Sequence, residues 1–193
     1  PNHEAKQKVN GYGIIPLPKN AANGQVSDVV LKGQTRVNLL GDDGDFEEFV
    51  SESPKGWDIN LVTVEQVESF DGGKALKVRG EWSNSTLSKV LNVQSGKKYI
   101  ILGMFKRIDD AASNPSLNIY DGVDSSSDIL LMKSFSKPDY TSWTVYANTF
   151  TPTSNVCSIY IRMSGGTGTR ELHVDKLCVI EIESGDYNSP VNN

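Results

Sequence analysis

Cysteine and histidine are scarce, with two of each in 193 residues. A structural zinc site takes four Cys or His ligands, and His3 sits in a polar terminus, so the sequence excludes a closed zinc centre. A basic excess is also missing. Nineteen Lys and Arg stand against 24 Asp and Glu, a net charge of −5, which argues against nucleic acid as a partner. Long apolar runs are absent too: YIILGMF at 99–105 falls far short of the ~20 residues that cross a bilayer. No charged-then-apolar signal opens the chain, so neither a membrane partner nor a secretory leader is expected. There is no G-x-S-x-G elbow, no phosphate loop and no internal repeat of a solenoid or propeller.

What is present is enough for a core. The chain is 37% hydrophobic and 8% aromatic, with 17 Gly and 8 Pro to make turns, and fits one β-rich domain plus an appendage. Nine short β-rich runs follow one another: 61–70, 74–82, 89–93, 97–108, 116–123, 128–135, 142–150, 156–163 and 171–182. Turn-forming pieces such as DGG, DDAASNP, SKPD and GGTGT separate them, and no helical period of ten residues competes. The pattern predicts an all-β sandwich of two antiparallel sheets. The first forty residues hold only short apolar pieces between Pro and Gly interruptions and read as an extended arm. Cys157 and Cys178 flank the turn GGTG at 165–168, so two readings stand: a cross-strand disulfide, or two buried thiols acting as small apolar residues.

The order of features from 38 to 182 resembles the jelly-roll carbohydrate-binding modules of the family 4, 9 and 22 type. The resemblance rests on NLLGDDGDFEEF (38–49), GW (56–57), GGKALKVRG (72–80), SGKKYIILGMFKR (95–107), SWTVYANTFTPTS (142–154) and VCSIYIRMSGGTGTRELHVDKLCVIEI (156–182). Upstream, GYGIIPLPKNAANGQVSDVVLKGQTRVNLLG (11–41) resembles the lead-in of structural proteins of tailed bacteriophages, with its Lys-Gly-x-Thr-x-x-Asn-Leu stretch. Together the resemblances imply a non-catalytic virion component, a head decoration, fibre or tail adsorption protein. Its arm (1–37) would attach to other virion proteins, its jelly roll (38–183) would bind surface glycans, and a tail (184–193) would close the chain. They further imply a homo-oligomer such as a trimer, displayed on the capsid or tail surface. Pro1 is what removal of an initiator Met leaves, which implies a complete small gene product. Two alternatives stand beside this reading: an extracellular carbohydrate-binding module of a polysaccharide-degrading enzyme, and a capsid or tail clamp without sugar binding.

The family resemblance implies a structural calcium at the acidic edge, held by Glu47, Asp175 and backbone oxygens between Asp71 and Lys74. Calcium requires six to eight oxygen ligands, which carboxylates and carbonyls supply. The EF-hand pattern is absent, a solvated acidic turn is the competing reading, and Lys176 stands where many relatives carry a second acidic residue. Sugar recognition needs flat apolar rings with polar groups beside them. Trp82 matches the place where related modules present a stacking Trp, and Arg79 shares its strand. Tyr120 alternates away from Leu117 and Ile119, so it belongs on the opposite face from the side those two bury. Trp82 and Tyr120 are therefore the expected aromatic platform, with Arg79, Lys106 and Asn118 as polar contributors; Trp82 as a rim residue covering the core is the competing reading. Trp57 and Trp143 are assigned to structure. The only Cys/His pair is His173 with Cys157, and the carboxylates of Glu81, Asp121 and Asp124 have no separation fixed by sequence.

Overall fold

The computed structural model describes residues 29–31, 34–82, 84–163 and 168–183. Most of the expected arm, the turn at 164–167 and the expected tail at 184–193 lie outside the described residues. Two short strands, β1 (Val29–Leu31) and β2 (Gln34–Arg36), pair with each other, and a 3-10 turn follows at Gly41–Gly44. Then come β3 (Phe49–Val50), β4 (Ser53–Pro54), β5 (Asp58–Asn60), β6 (Val62–Glu68), β7 (Lys74–Gly80) and β8 (Ser85–Asn92). The chain continues through β9 (Lys98–Arg107), β10 (Ser116–Tyr120), β11 (Ile129–Ser134), a one-turn helix α1 (Lys137–Tyr140), β12 (Thr144–Phe150), β13 (Val156–Met163) and β14 (Arg170–Ile182).

Ten of these strands form two five-stranded sheets, in the orders β11-β10-β13-β8-β5 and β12-β9-β14-β7-β6. All pairings are antiparallel. Each of the nine expected runs overlaps one of them, although β8 begins four residues before its run at 89–93, and β5 is the tenth. The expected all-β, jelly-roll-like sandwich is therefore present. From β9 to β14 the chain changes sheets at every connection except the one between β10 and β11, which pair with each other in the first sheet.

Alternation of side chains along each strand builds the core between the sheets. Leu117 and Ile119 of β10, Ile159 and Ile161 of β13, Leu87 and Leu91 of β8, and Val174 and Val179 of β14 all enter it. Burying each such side chain contributes about 1.5–3 kcal/mol. Phe105 stacks on Phe135 with ring centroids 4.4 Å apart, and Tyr140 meets Phe135 edge-on at 4.9 Å. Trp57 is buried against Phe46 and donates its Nε1–H to the Asp43 carbonyl at 2.7 Å, which is the structural role its sequence position suggests. Trp143 is half-buried between Phe70 and His173.

The cysteines are separated by topology. Cys157 on β13 points into the central core, whereas Cys178 on β14 of the other sheet packs with Ile100, Leu102 and Ile180 in a second apolar cluster. Both are buried free thiols, which settles the two readings in favour of small apolar residues. Burial pushes the Cys157 thiol up to about 12 and the Cys178 thiol higher still.

The 3-10 turn presses against β14 at Gly44. A Cβ there would lie 1.9 Å from the Leu177 carbonyl oxygen, closer than any real contact, so backbone would have to move. Gly44→Ala is expected to cost about 1–3 kcal/mol, the usual range for overpacking, and to lower the melting temperature by several degrees. An unchanged thermal transition would show that the turn is not held against β14.

Two buried arginines tie the loops to this frame. Arg107, at the end of β9, bonds to both Asp109 carboxylate oxygens, to Asn114, and to the carbonyls of Ala111, Ser113 and Phe135. Five N–H groups thus serve six acceptors and organise the 108–115 loop. Arg170, at the start of β14, donates to Ser113 Oγ at 2.8 Å and to the Glu81 carbonyl at 2.6 Å, joining that loop to the one after β7.

Burial alone would push the Asp109 carboxyl up, but hydrogen bonds from Arg107 and from the Glu171 and Ala111 amides outweigh it and hold the group below its ordinary range. A carboxyl depressed in the fold stabilises it above the unfolded-state value, about pH 4, and loses that contribution as pH falls through the folded value. Asp109→Asn is accordingly expected to flatten the acid limb of the stability curve below about pH 4. A mutant whose acid limb keeps the parental slope would contradict the assignment.

Candidate functional site

The first sheet has an outer face unlike an ordinary solvated one. Because Leu117 and Ile119 enter the core, Ser116, Asn118 and Tyr120 of β10 point the other way. The same parity places Ser158, Tyr160 and Arg162 of β13 and Thr86, Ser88 and Val90 of β8 on that face. Register then joins them into rows: Met132, Asn118, Tyr160, Ser88 and Asp58 run across all five strands, and Tyr120, Ser158 and Val90 form a neighbouring row.

The centre of this face is polar and yet closed to water. Tyr120 meets Tyr160 edge-on with centroids 5.3 Å apart. The Tyr120 hydroxyl accepts from Arg162 Nη1 at 2.7 Å and from Asn118 Nδ2 at 3.0 Å. That second bond fixes the Asn118 amide and turns its Oδ1 away. Asn118 is 4% exposed and Ser158 0%, and neither Asn118 Oδ1 nor Ser158 Oγ has a hydrogen-bond partner. Buried polar atoms of this kind cost about 1–3 kcal/mol each unless something satisfies them, and such cost is characteristic of places that receive a ligand or ordered water. Two acceptors, one hydroxyl donor and a half-buried ring at 5.3 Å from a second ring therefore converge within two neighbouring strands.

The five residues expected to bind sugar do not share one surface. Tyr120 and Asn118 lie on the face just described, and Tyr120 points away from Leu117 and Ile119 as their alternation requires. Arg79 and Lys106 lie on the outer face of the second sheet, where Arg79 opposes Glu171 and Lys106 opposes His173. Arg79 Nε is paired with Glu171 Oε2 at 3.2 Å. Trp82 sits in the loop between β7 and β8, 63% exposed, beside an open groove of about 310 Å³ lined by Leu61, Thr63, Arg79, Glu81 and Thr169. This groove belongs to the edge of the second sheet. Tyr160, Arg162 and Ser158 were not among the expected residues, although the odd-even pattern of VCSIYIRM placed the three together on one face.

The acidic edge is arranged differently from a metal site. Glu47 Oε1 accepts the Lys74 N–H at 2.9 Å, so that backbone turns a donor toward the carboxylate. Asp71 Oδ1 accepts the Gly73 N–H at 3.1 Å, and Asp71 Oδ2 lies 3.3 Å from the Lys176 ammonium. Asp175 accepts the Ser69 hydroxyl and, at 2.7 Å, the Lys176 N–H. Among the described residues no group of three or more His, Cys, Asp or Glu side chains could hold a metal ion. Burial pushes the Asp175 carboxyl up to about 7 against the pull of Lys176 and Ser69, and lifts Asp45 to about 6. An ammonium among the carboxylates and N–H and O–H donors aimed at their lone pairs do not suit calcium, so the set Glu47, Asp71, Lys74 and Asp175 does not fit the ion the resemblance implied.

The other reactive groups have structural partners. His173 lies on the outer face of the second sheet, 3.0 Å from Glu171, while Cys157 points into the core from the first, so the two form no pair. Burial holds the His173 ring below its ordinary value, against the opposing pull of Glu171. Asp121 caps the 153–154 turn by accepting the Thr153 and Ser154 amides at 2.9 Å each, and Glu81 Oε1 accepts from the Thr169 hydroxyl at 3.1 Å.

No family model and no curated protein sequence matches the chain. Solved structures do. The xylan-binding domain CBM22-1 from Paenibacillus barcinonensis Xyn10C is similar at a TM-score of 0.55 and 14% identity, over 73% of this chain and 93% of that domain. A family 4 carbohydrate-binding module is similar at a TM-score of 0.53 and 15% identity, over 72% of this chain and 98% of the module. The enzymatically active domain of tailspike protein 4 from bacteriophage CBA120 is similar at a TM-score of 0.55 and 11% identity, over 75% of this chain. The similar region spans only 21% of that tailspike chain. At these identities the likeness is one of fold: two antiparallel five-stranded sheets in the sandwich of carbohydrate-binding modules.

Proposed function

We propose that this protein binds a polysaccharide chain along the outer face of its first sheet. The observation that carries the reading is the half-buried Tyr160 ring on that face, with the half-buried Arg162 two residues along its strand and the polar side chains of Asn118, Ser88 and Asp58 in its row. A sugar offers a C–H face to such a ring and hydroxyls to the polar groups beside it. The fold likeness to a xylan-binding domain supports the same ligand class. Affinity electrophoresis through gels containing xylan, mixed-linkage β-glucan or bacterial cell-wall polysaccharide tests it. Retardation in at least one gel is expected, and unretarded migration of folded protein in all of them would overturn it.

The setting we propose is a virion surface, where many copies add weak single-site contacts into useful avidity. Support comes from the phage-like lead-in at 11–41 and from the recurrence of this fold within a tailspike domain. The likeness to modules of xylan-degrading enzymes supports a second reading, a module appended to a secreted hydrolase. Light scattering on the purified chain separates them: a trimer or other homo-oligomer is expected on a virion, and a monomer would favour the enzyme module.

A further inference from the structure

We propose that Lys176 is the built-in cation of the acidic edge, so that this sandwich stands without a divalent metal where the fold resemblance implies calcium. The side chain is buried, its ammonium lying 3.3 Å from Asp71 Oδ2 and 4.0 Å from Asp175 Oδ2. Asp175 itself is completely buried, and the Asp45 carboxylate, also buried, has no hydrogen-bond partner on Oδ2. Carboxylates withdrawn from water in this way require a compensating charge.

The backbone is shaped to deliver that charge. Asp175 opposes Met104 and Cys178 opposes Leu102, so Lys176 and Leu177 together face the single residue Gly103 in a β-bulge. Lys176 takes φ of +51° there, a left-handed conformation that costs a non-glycine residue about 1–2 kcal/mol. Gly103 leaves the room: a Cβ on it would lie 2.9 Å from Leu177 Cδ1. A long cationic side chain is thus kept at a position where glycine would relieve strain. Such strain persists where the side chain it aims has a role. A divalent ion at the same carboxylates would meet the ammonium at close range and be repelled.

The test uses the full chain and thermal or denaturant unfolding, in chelator and in millimolar calcium, with two variants. The parent is expected to unfold identically in both media. Lys176→Met is expected to raise the unfolding constant in chelator by roughly a hundredfold or more, as removal of one partner from a buried ionic group does. Lys176→Gly relieves the backbone but also removes the buried stem, so it is compared with the stem-keeping Lys176→Met: destabilisation of both is expected if the ammonium is the edge's counter-charge. A parent whose melting temperature rises with calcium, or a Lys176→Gly variant more stable than the parent, would overturn the proposal. Should either variant fail to fold, the parent's response to calcium and chelator still decides the matter.

Discussion

Arg107→Ala is expected to be the most destabilising single substitution outside the apolar core, costing about 3–5 kcal/mol, as breaking a buried, hydrogen-bonded charge pair does. The guanidinium is almost wholly buried, and its removal takes a donor from three carbonyls and from Asn114 and leaves the Asp109 charge with only the amides of Ala111 and Glu171. Arg107→Lys should recover only part of the loss, since an ammonium has three donors and no planar fork for a bidentate carboxylate. Urea unfolding checks this, with the slope against denaturant expected to stay constant while the midpoint falls. A cost below about 1 kcal/mol would mean that the 108–115 loop holds its shape without the clamp.

Tyr160→Ala and Asn118→Ala are each expected to weaken polysaccharide binding about tenfold, the worth of one ring contact or one well-placed hydrogen bond. Together they should abolish measurable single-site binding. Trp82→Ala should leave affinity within about twofold, because Trp82 lies in the β7–β8 loop beside the groove at the second sheet's edge, outside the rows that hold Asn118 and Tyr160. Calorimetric titration of the three variants against whichever polysaccharide retards the parent provides the comparison. The opposite ranking, with Trp82 indispensable and Tyr160 neutral, would move the binding site to the groove of about 310 Å³ beside Arg79.

The strands were legible because alternation is local. Nine runs announce themselves by β-rich composition between turn-forming pieces, whereas β5, Asp58–Asn60, is three exposed residues long and owes its place to pairing with β8. The same parity told that Tyr120 turns away from Leu117 and Ile119. It could not tell that β10 lies beside β13, some forty residues on, which is what brings Tyr160 and Arg162 to Tyr120. Nor could it tell that the β7–β8 connection crosses between sheets, which separates Trp82 and Arg79 from Asn118. At the acidic edge alternation itself fails. Leu172 and Val174 enter the core before the bulge and Leu177 and Val179 after it, so the parity flips at Lys176. A bulge whose left-handed residue is a lysine leaves no glycine signal, and the residue that answers the carboxylates read only as a departure from the family pattern.

The claim on which the account turns is that ligand lies across β10 and β13. Amide chemical-shift mapping of isotope-labelled protein, titrated with an oligosaccharide of the retained polysaccharide, reads this residue by residue. The account predicts that the largest shifts cluster at Asn118, Tyr120, Ser158, Tyr160 and Arg162, with the amides of Arg79, Trp82 and Lys106 unmoved. Shifts confined to the Trp82 groove, or none on the outer face of the first sheet at saturating ligand, would contradict it.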